Sequence, residues 1–286
     1  MKDKFIEVLG TQLKYRTISC NPEWKATPTF KMTVQVTDVC PAKCAFCCNP
    51  GKGILLDVDK FKRDFEEITS KVTIDEVYFT GGEPMLHWDM IRECLKVIKC
   101  PALINTMGLN LHKIDVPVAI SLSRHHWEHD INNEILGIRH KPTYLDLFPA
   151  EYKARSNVTT NIIKGYVDSA DKMRRMMDFA MENGFPLSGF VGLMPATEYA
   201  KEAYSPIPEL EGEDINTYRK FKWKSGMCSC QNSFYIKDGN LHRFYIKENL
   251  DPTENKGGRI FYRNGIIGKF VQTDYQQRVA LAGLKA

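Results

Sequence analysis

Residues Lys31–Cys47 read KMTVQVTDVCPAKCAFC, and the rest of the chain is organised around this stretch. Met32, Val34 and Val36 alternate with Thr33, Gln35 and Thr37, the two-residue period of a strand buried on one face. The alternation runs straight towards Cys40. Cys40, Cys44 and Cys47 therefore fall in a loop at the C-terminal end of that strand. Iron–sulfur clusters are held by Cys thiolates, usually four of them. Three closely spaced ligands leave one iron open, and an open position lets a metal bind a reactant. Zinc is the alternative, which would make this a structural or interaction protein. It usually takes paired C-x2-C or C-x2-C/H-x3–5-H halves, and no second half stands at suitable spacing.

Further along, strand and helix alternate, which predicts parallel βαβ units. Asp59–Ser70 carries Phe61, Phe65 and Ile68 at helical spacing, and Asp75–Thr80 is strand-like and closes on Gly81-Gly82. His87–Lys99 is expected as a helix with Ile91, Cys94, Leu95 and Ile98 on one face. Ala102–Thr106, Val116–Ser123, Asn157–Ile163 and Ser188–Met194 are further strands. A helix striped by Met173, Met176, Met177, Ala180 and Met181 precedes the last of these and stops at Gly184. Glu128–Ser156 is expected to hold one helix. A Pro-containing, acidic stretch around Pro206–Asp214 reads as a linker. Beyond it lie β-like pieces at Ser233–Lys237, Leu241–Ile246 and Arg259–Tyr262, with turn signals at Asp238-Gly239 and Asn264-Gly265. The expected division is an N-terminal extension (1–30), a main α/β domain (31–200) and a C-terminal appendage (201–286).

The chain has 286 residues, 43% of them hydrophobic, enough for one large core or two smaller ones. Its formal net charge of +4 is spread along the sequence, which argues against a nucleic-acid partner. MKDKFIEVLG has no apolar signal region, and no apolar run reaches membrane-spanning length, so a cytoplasmic protein is expected. Nine cysteines, three of them at positions 40, 44 and 47 with Cys48 beside them, point to metal binding in a reducing compartment.

The C-x3-C-x2-C spacing, with Phe46 before the last cysteine and Gly81-Gly82-Glu83-Pro84 one strand later, resembles the radical S-adenosylmethionine (SAM) superfamily. The resemblance covers roughly Lys31 to Pro195. It implies a partial (β/α)6 TIM-type barrel, here with a small C-terminal α+β appendage. It also implies a 4Fe–4S cluster on Cys40, Cys44 and Cys47, with SAM on the open iron. Reductive cleavage of SAM then gives a 5′-deoxyadenosyl radical that abstracts hydrogen from a substrate. By the same resemblance, Phe46 and the segment Gly81, Gly82, Glu83 and Pro84 contact the cofactor, the latter through the amino group of SAM. Ser121 and Ser123 fall where relatives meet the ribose. Asn161 and Met194 fall where relatives meet the methionyl carboxylate and the adenine. A flavodoxin- or ferredoxin-type reductant is implied, and the substrate is a peptide or a nucleoside- or sugar-sized molecule.

Two clusters of residues lie outside those motifs. SRHHWEH (Ser123–His129) follows a strand end, the face on which β/α barrels build active sites. His125 and His126 are candidates there for acid–base or substrate contacts, the alternative being an ordinary polar loop. Trp127 is a candidate for stacking or for packing. Cys228 and Cys230 sit in a segment resembling a reduced twitch- or SPASM-type extension. They are candidates for a second iron–sulfur cluster, for a thiol hydrogen donor, or for buried packing. A complete second cluster would need Cys20, Cys48, Cys94 or Cys100 as well. Lys256–Gly265 (KGGRIFYRNG) reads as a solvated hairpin or a lid.

Overall fold

A computed structural model of the chain describes residues 4–15, 28–47, 49, 53–138, 145–194, 197–208, 218–220, 232–237, 240–247 and 258–268. In chain order the strands are β1 (Lys4–Val8), β2 (Thr11–Tyr15), β3 (Thr29–Thr37), β4 (Thr73–Gly81), β5 (Ala102–Thr106), β6 (Ala119–Ser123), β7 (Asn157–Ile162), β8 (Leu187–Gly192), β9 (Tyr218–Lys220), β10 (Asn232–Lys237), β11 (Asn240–Lys247), β12 (Arg259–Arg263) and β13 (Ile266–Gly268). The helices are α1 (Val58–Lys71), α2 (Trp88–Leu95), α3 (His129–Leu136), α4 (Ala150–Lys153), α5 (Ala170–Glu182) and α6 (Glu198–Glu202). The six strands expected from the sequence are β3 to β8. Two compact units form: the first from Met1–Cys40, Cys48–Asn105 and Asp251–Ala286, the second from Pro41–Cys47 and Thr106–Leu250.

In the first unit β3 pairs in parallel with β4, and β4 with β5. Phe30, Met32, Val34 and Val36 of β3 are buried, as are Val77 and Phe79 of β4. Strand alternation turns these apolar residues to one face. Phe61, Phe65 and Ile68 of α1 and Ile91 of α2 are buried too, each set on the inward stripe of its helix. Asp57 caps α1, its carboxylate accepting from the Lys60 amide at 2.9 Å. The expected helix over His87–Lys99 is shorter. A 3-10 turn spans Pro84–His87, α2 ends at Leu95, and the chain turns before Pro101. Pro101 biases Cys100 away from helical backbone, and β-branched Val97 and Ile98 add little helical preference.

In its described part the Lys256–Gly265 stretch enters a hairpin as expected, but a packed one rather than a solvated one. β12 pairs in parallel with β3, and β13 folds back on β12. Ile260 and Tyr262 are buried, and the Tyr262 hydroxyl donates to Asp64 Oδ2 at 2.7 Å. Burial and that carboxylate hold the Tyr262 hydroxyl well above the ordinary tyrosine range. Asn264 (φ 46°) and Gly265 (φ 85°) make the expected tight turn.

In the second unit β6, β7 and β8 are parallel neighbours, and β11 joins β8 in parallel as well. β10 pairs antiparallel with β11, and β9 with β10. α5 starts at the Ser169 cap and buries Met173, Met176, Met177 and Ala180 of the expected stripe, while Met181 is half-buried. Glu128–Ser156 holds α3, a 3-10 turn at Leu145–Leu147 and the short α4. Among the described residues, no helix is long and apolar enough to cross a membrane.

Candidate functional site

Cys40 closes the first unit's share of the cysteine loop. The loop is pinched at its base: Thr37 bridges Leu55, Asp38 N donates to Ile54 O at 3.2 Å, and Ile54 N donates to Asp38 Oδ1 at 2.6 Å. The end of β4 packs onto the stem leading to Cys40. Gly82 N donates to Thr37 O at 2.7 Å, and Glu83 N donates to Val39 O at 2.9 Å. A Cβ at Gly81 would lie 1.8 Å from Thr37 O, and one at Gly82 would lie 2.1 Å from Val39 O. The glycines are thus required for close approach of backbone to backbone. Glu83 is buried, and its Oε1 accepts from Met85 N at 3.0 Å, capping the Pro84–His87 turn.

Cys44 and Cys47 belong to the second unit, in a turn closed by Cys47 N donating to Cys44 O at 3.0 Å. Cys40 and Cys44 are half-buried, and Cys47 is exposed. Lys43 N donates to Leu136 O at 2.9 Å, and the Cys44 thiol lies 3.7 Å from the same carbonyl. Phe46 meets His125 edge-on at 5.3 Å and packs against the apolar group Ile135, Ile163, Leu193 and Ala203.

His125 and His126 are buried just past β6. His125 Nδ1 accepts from Asn161 N at 3.1 Å, which places the ring proton on Nε2. Burial, with Arg124 adjacent, lowers the His125 pKa to about 4, so at neutral pH it is uncharged and can donate from Nε2. His126 stacks on Trp127 at 3.9 Å and accepts from Glu128 N at 3.1 Å through Nδ1. Burial lowers its pKa as well. Arg124 Nε donates to His126 O at 2.7 Å, and its Nη2 donates to Trp127 O at 2.9 Å. Its charge lies over the Phe179 ring, and burial lowers its pKa to about 10. These bonds fold the SRHHWEH turn upon itself.

Ser121, Ser123, Asn157, Thr159 and Asn161 alternate onto one face of β6 and β7. Ser121 Oγ lies 2.7 Å from Thr159 Oγ1, and Asn157 Nδ2 donates to both, at 3.0 Å and 2.8 Å. Tyr245 of β11 extends the row, its hydroxyl 3.5 Å from Thr159 Oγ1. A Cβ at Gly189 would meet the Tyr245 ring at 2.2 Å, so the ring fills the space over Gly189 of β8. Sequence reasoning missed Asn157 and Thr159, although N-x-T-x-N alternation was there to read. Tyr245 carried no local signal. Met194 is half-buried just past β8. Cys228 and Cys230 lie outside the described residues.

The radical SAM superfamily profile matches residues 34–198, more than half of the chain. The chain belongs to the radical SAM superfamily. Its parallel α/β architecture is consistent with the partial TIM-type fold of that superfamily. Among curated proteins nothing matches significantly. Similar solved structures include Streptococcus suis SuiB bound to precursor peptide SuiA, at 17% identity and TM-score 0.49, covering 63% of this chain and 44% of that one. A radical SAM methyltransferase from Sphaerobacter thermophilus matches at 16% identity and TM-score 0.49, covering 63% of this chain and 60% of that one. The chain thus spans less than two thirds of these structures' own length.

Membership implies a 4Fe–4S cluster and SAM as cofactors of this radical SAM protein. The donor set fits: three thiols with no disulfide among them, on a loop whose stem is fastened to the Gly-Gly-Glu end of β4. Among the described residues, no three His, Cys, Asp or Glu side chains converge as a ready-made metal cage.

Proposed function

We propose that this enzyme cleaves SAM reductively and abstracts hydrogen from a peptide or from a nucleoside- or sugar-sized molecule. Cys40, Cys44 and Cys47 would hold the cluster, and the Gly81–Glu83 segment would receive the amino group of SAM. One observation carries the reading. The two matching motifs are joined in the fold, because the Gly82 and Glu83 amides donate to carbonyls of the very stem that delivers Cys40. When bound, the cluster and SAM would supply the one-electron reductive chemistry, which the chain's residues serve by holding and orienting them.

The chain's own residues bind and orient. Buried Glu83 offers a carboxylate to an ammonium while its backbone holds the stem. The Ser121–Asn157–Thr159–Tyr245 row offers hydroxyl and amide groups to a polar ligand. The electron would come from a flavodoxin- or ferredoxin-type protein.

Protein reconstituted anaerobically with iron and sulfide should be brown, carry about four irons per chain and form 5′-deoxyadenosine with dithionite and SAM. Replacing Cys44 with Ala should abolish both iron retention and 5′-deoxyadenosine. A colourless protein with stoichiometric zinc would overturn the proposal in favour of a structural metal loop.

A further inference from the structure

The cysteine loop of the second unit is held by residues far from it in sequence, and α3 ends in a way that explains how. Gly137 stands just past α3 with φ 61°, and Ile138 N donates back to Asn133 O at 3.0 Å while Gly137 N donates to Glu134 O at 2.9 Å. That left-handed ending satisfies the carbonyls of Asn133 and Glu134. The carbonyl of Leu136 points onward, and its donor is the amide of Lys43 at 2.9 Å. A helix C-terminus leaves carbonyls to be satisfied from outside, and here the cysteine loop supplies a donor. Gly137 is also the floor under the loop: a Cβ there would lie 2.8 Å from Lys43 O and 3.1 Å from Lys43 Cβ. Two further contacts grip the same loop, Thr197 Oγ1 donating to Ala45 O at 3.2 Å and the His125 ring against the edge of Phe46.

We propose that the Leu136–Gly137 turn is a positioning device that shapes the loop carrying Cys44 and Cys47 before a cluster is present. The inference rests on the cluster reading above. A loop already ordered when it meets iron loses less conformational entropy on binding, so assembly is favoured without any added ligand. Leu136 and Gly137 supply no ligand of their own, although the Leu136 carbonyl also lies 3.7 Å from the Cys44 thiol. They act through Lys43, beside Cys44.

Gly137→Asn separates the two demands on this position, since Asn tolerates left-handed backbone but brings the Cβ that meets Lys43. Gly165 is the control: its φ is 87° and nothing lies within 4 Å of a Cβ there. Gly165→Asn should therefore retain the cluster as wild type does. In Gly137→Asn, iron loss to a chelator should be about tenfold faster, the effect typical of residues that orient metal ligands. Hydrogen exchange of cluster-free wild type supplies a readout independent of any variant's folding. The Lys43 amide should be protected in wild type. Free exchange at Lys43 in cluster-free wild type would overturn the proposal, as would Gly137→Asn retaining iron as well as Gly165→Asn. Wild type that assembles no iron cluster at all would overturn the cluster reading, and the inference with it.

Discussion

Glu83 caps a turn in the fold, and the proposed function gives the same carboxylate the amino group of SAM. Its carboxylate caps the Pro84–His87 turn through Met85 N, so Glu83→Ala removes a cap as well as a charge. Loss of such a cap costs about 1 kcal/mol of stability. Glu83→Gln keeps a carbonyl oxygen for Met85 N and removes only the charge. In the reconstituted protein it should melt close to wild type while SAM affinity falls roughly 10- to 100-fold, the worth of a charge-assisted hydrogen bond of about 1.5–3 kcal/mol. Calorimetric titration with SAM beside thermal melts reads both. Wild-type SAM affinity in Glu83→Gln would reduce Glu83 to a cap. The same doubling appears at His125, which the sequence offered as a chemical residue. The fold buries it, uncharged, between Asn161 and Phe46.

Among the elements, β11 has the largest consequence for the second unit. It pairs in parallel with β8 and sets Tyr245 opposite Gly189. Glycine inside a strand is ordinarily unfavourable, and here it is the space into which an aromatic ring lies. Gly189→Ala should cost about 1–3 kcal/mol by overpacking against that ring. In a Tyr245→Ala background the same change should be nearly neutral, because the two residues form a coupled pair. Urea denaturation of the four proteins in this cycle measures the coupling. Equal costs in both backgrounds would show that the ring does not occupy that space in solution.

For the whole molecule, buried histidines make stability depend on pH, with His125 and His242 shifted furthest and His126 in the same direction. His242 Nε2 lies 2.9 Å from Ser188 Oγ, and burial lowers the pKa of both His242 and His125 to about 4 from 6.5. The unfolded chain takes up these protons near pH 6.5, whereas the folded chain resists them down to about 4. Stability is therefore complete above pH 6.5 and is lost progressively as pH falls through that window. Each histidine accounts for up to about 3 kcal/mol by the bottom of it. The melting temperature should drop steadily between pH 7 and pH 4.5. His242→Asn, which retains a hydrogen-bonding group for Ser188, should flatten that slope. An unchanged slope would assign the acid sensitivity elsewhere.

The amino-acid sequence by itself determined the parallel α/β class, the six strands from β3 to β8, the cysteine loop and the Gly-Gly-Glu segment. All of these are short-range patterns: two-residue alternation in KMTVQVTD, a helical stripe of methionines in α5, and cysteines a few positions apart. It even set the Asn264-Gly265 turn, since positive φ is a local demand that those residues meet. Tertiary structure alone decided where β11 and β12 pair. A parallel partner is chosen by a buried face far away in sequence, and nothing within RIFYR names β3 as its neighbour. It likewise decided that Arg124, His125 and His126 would be buried, with Arg124 satisfying the turn's own carbonyls. And it decided that Gly137, just past α3, would lie against Lys43 in the loop of Cys44 and Cys47. A glycine's missing Cβ acquires meaning only when the fold brings another backbone against it.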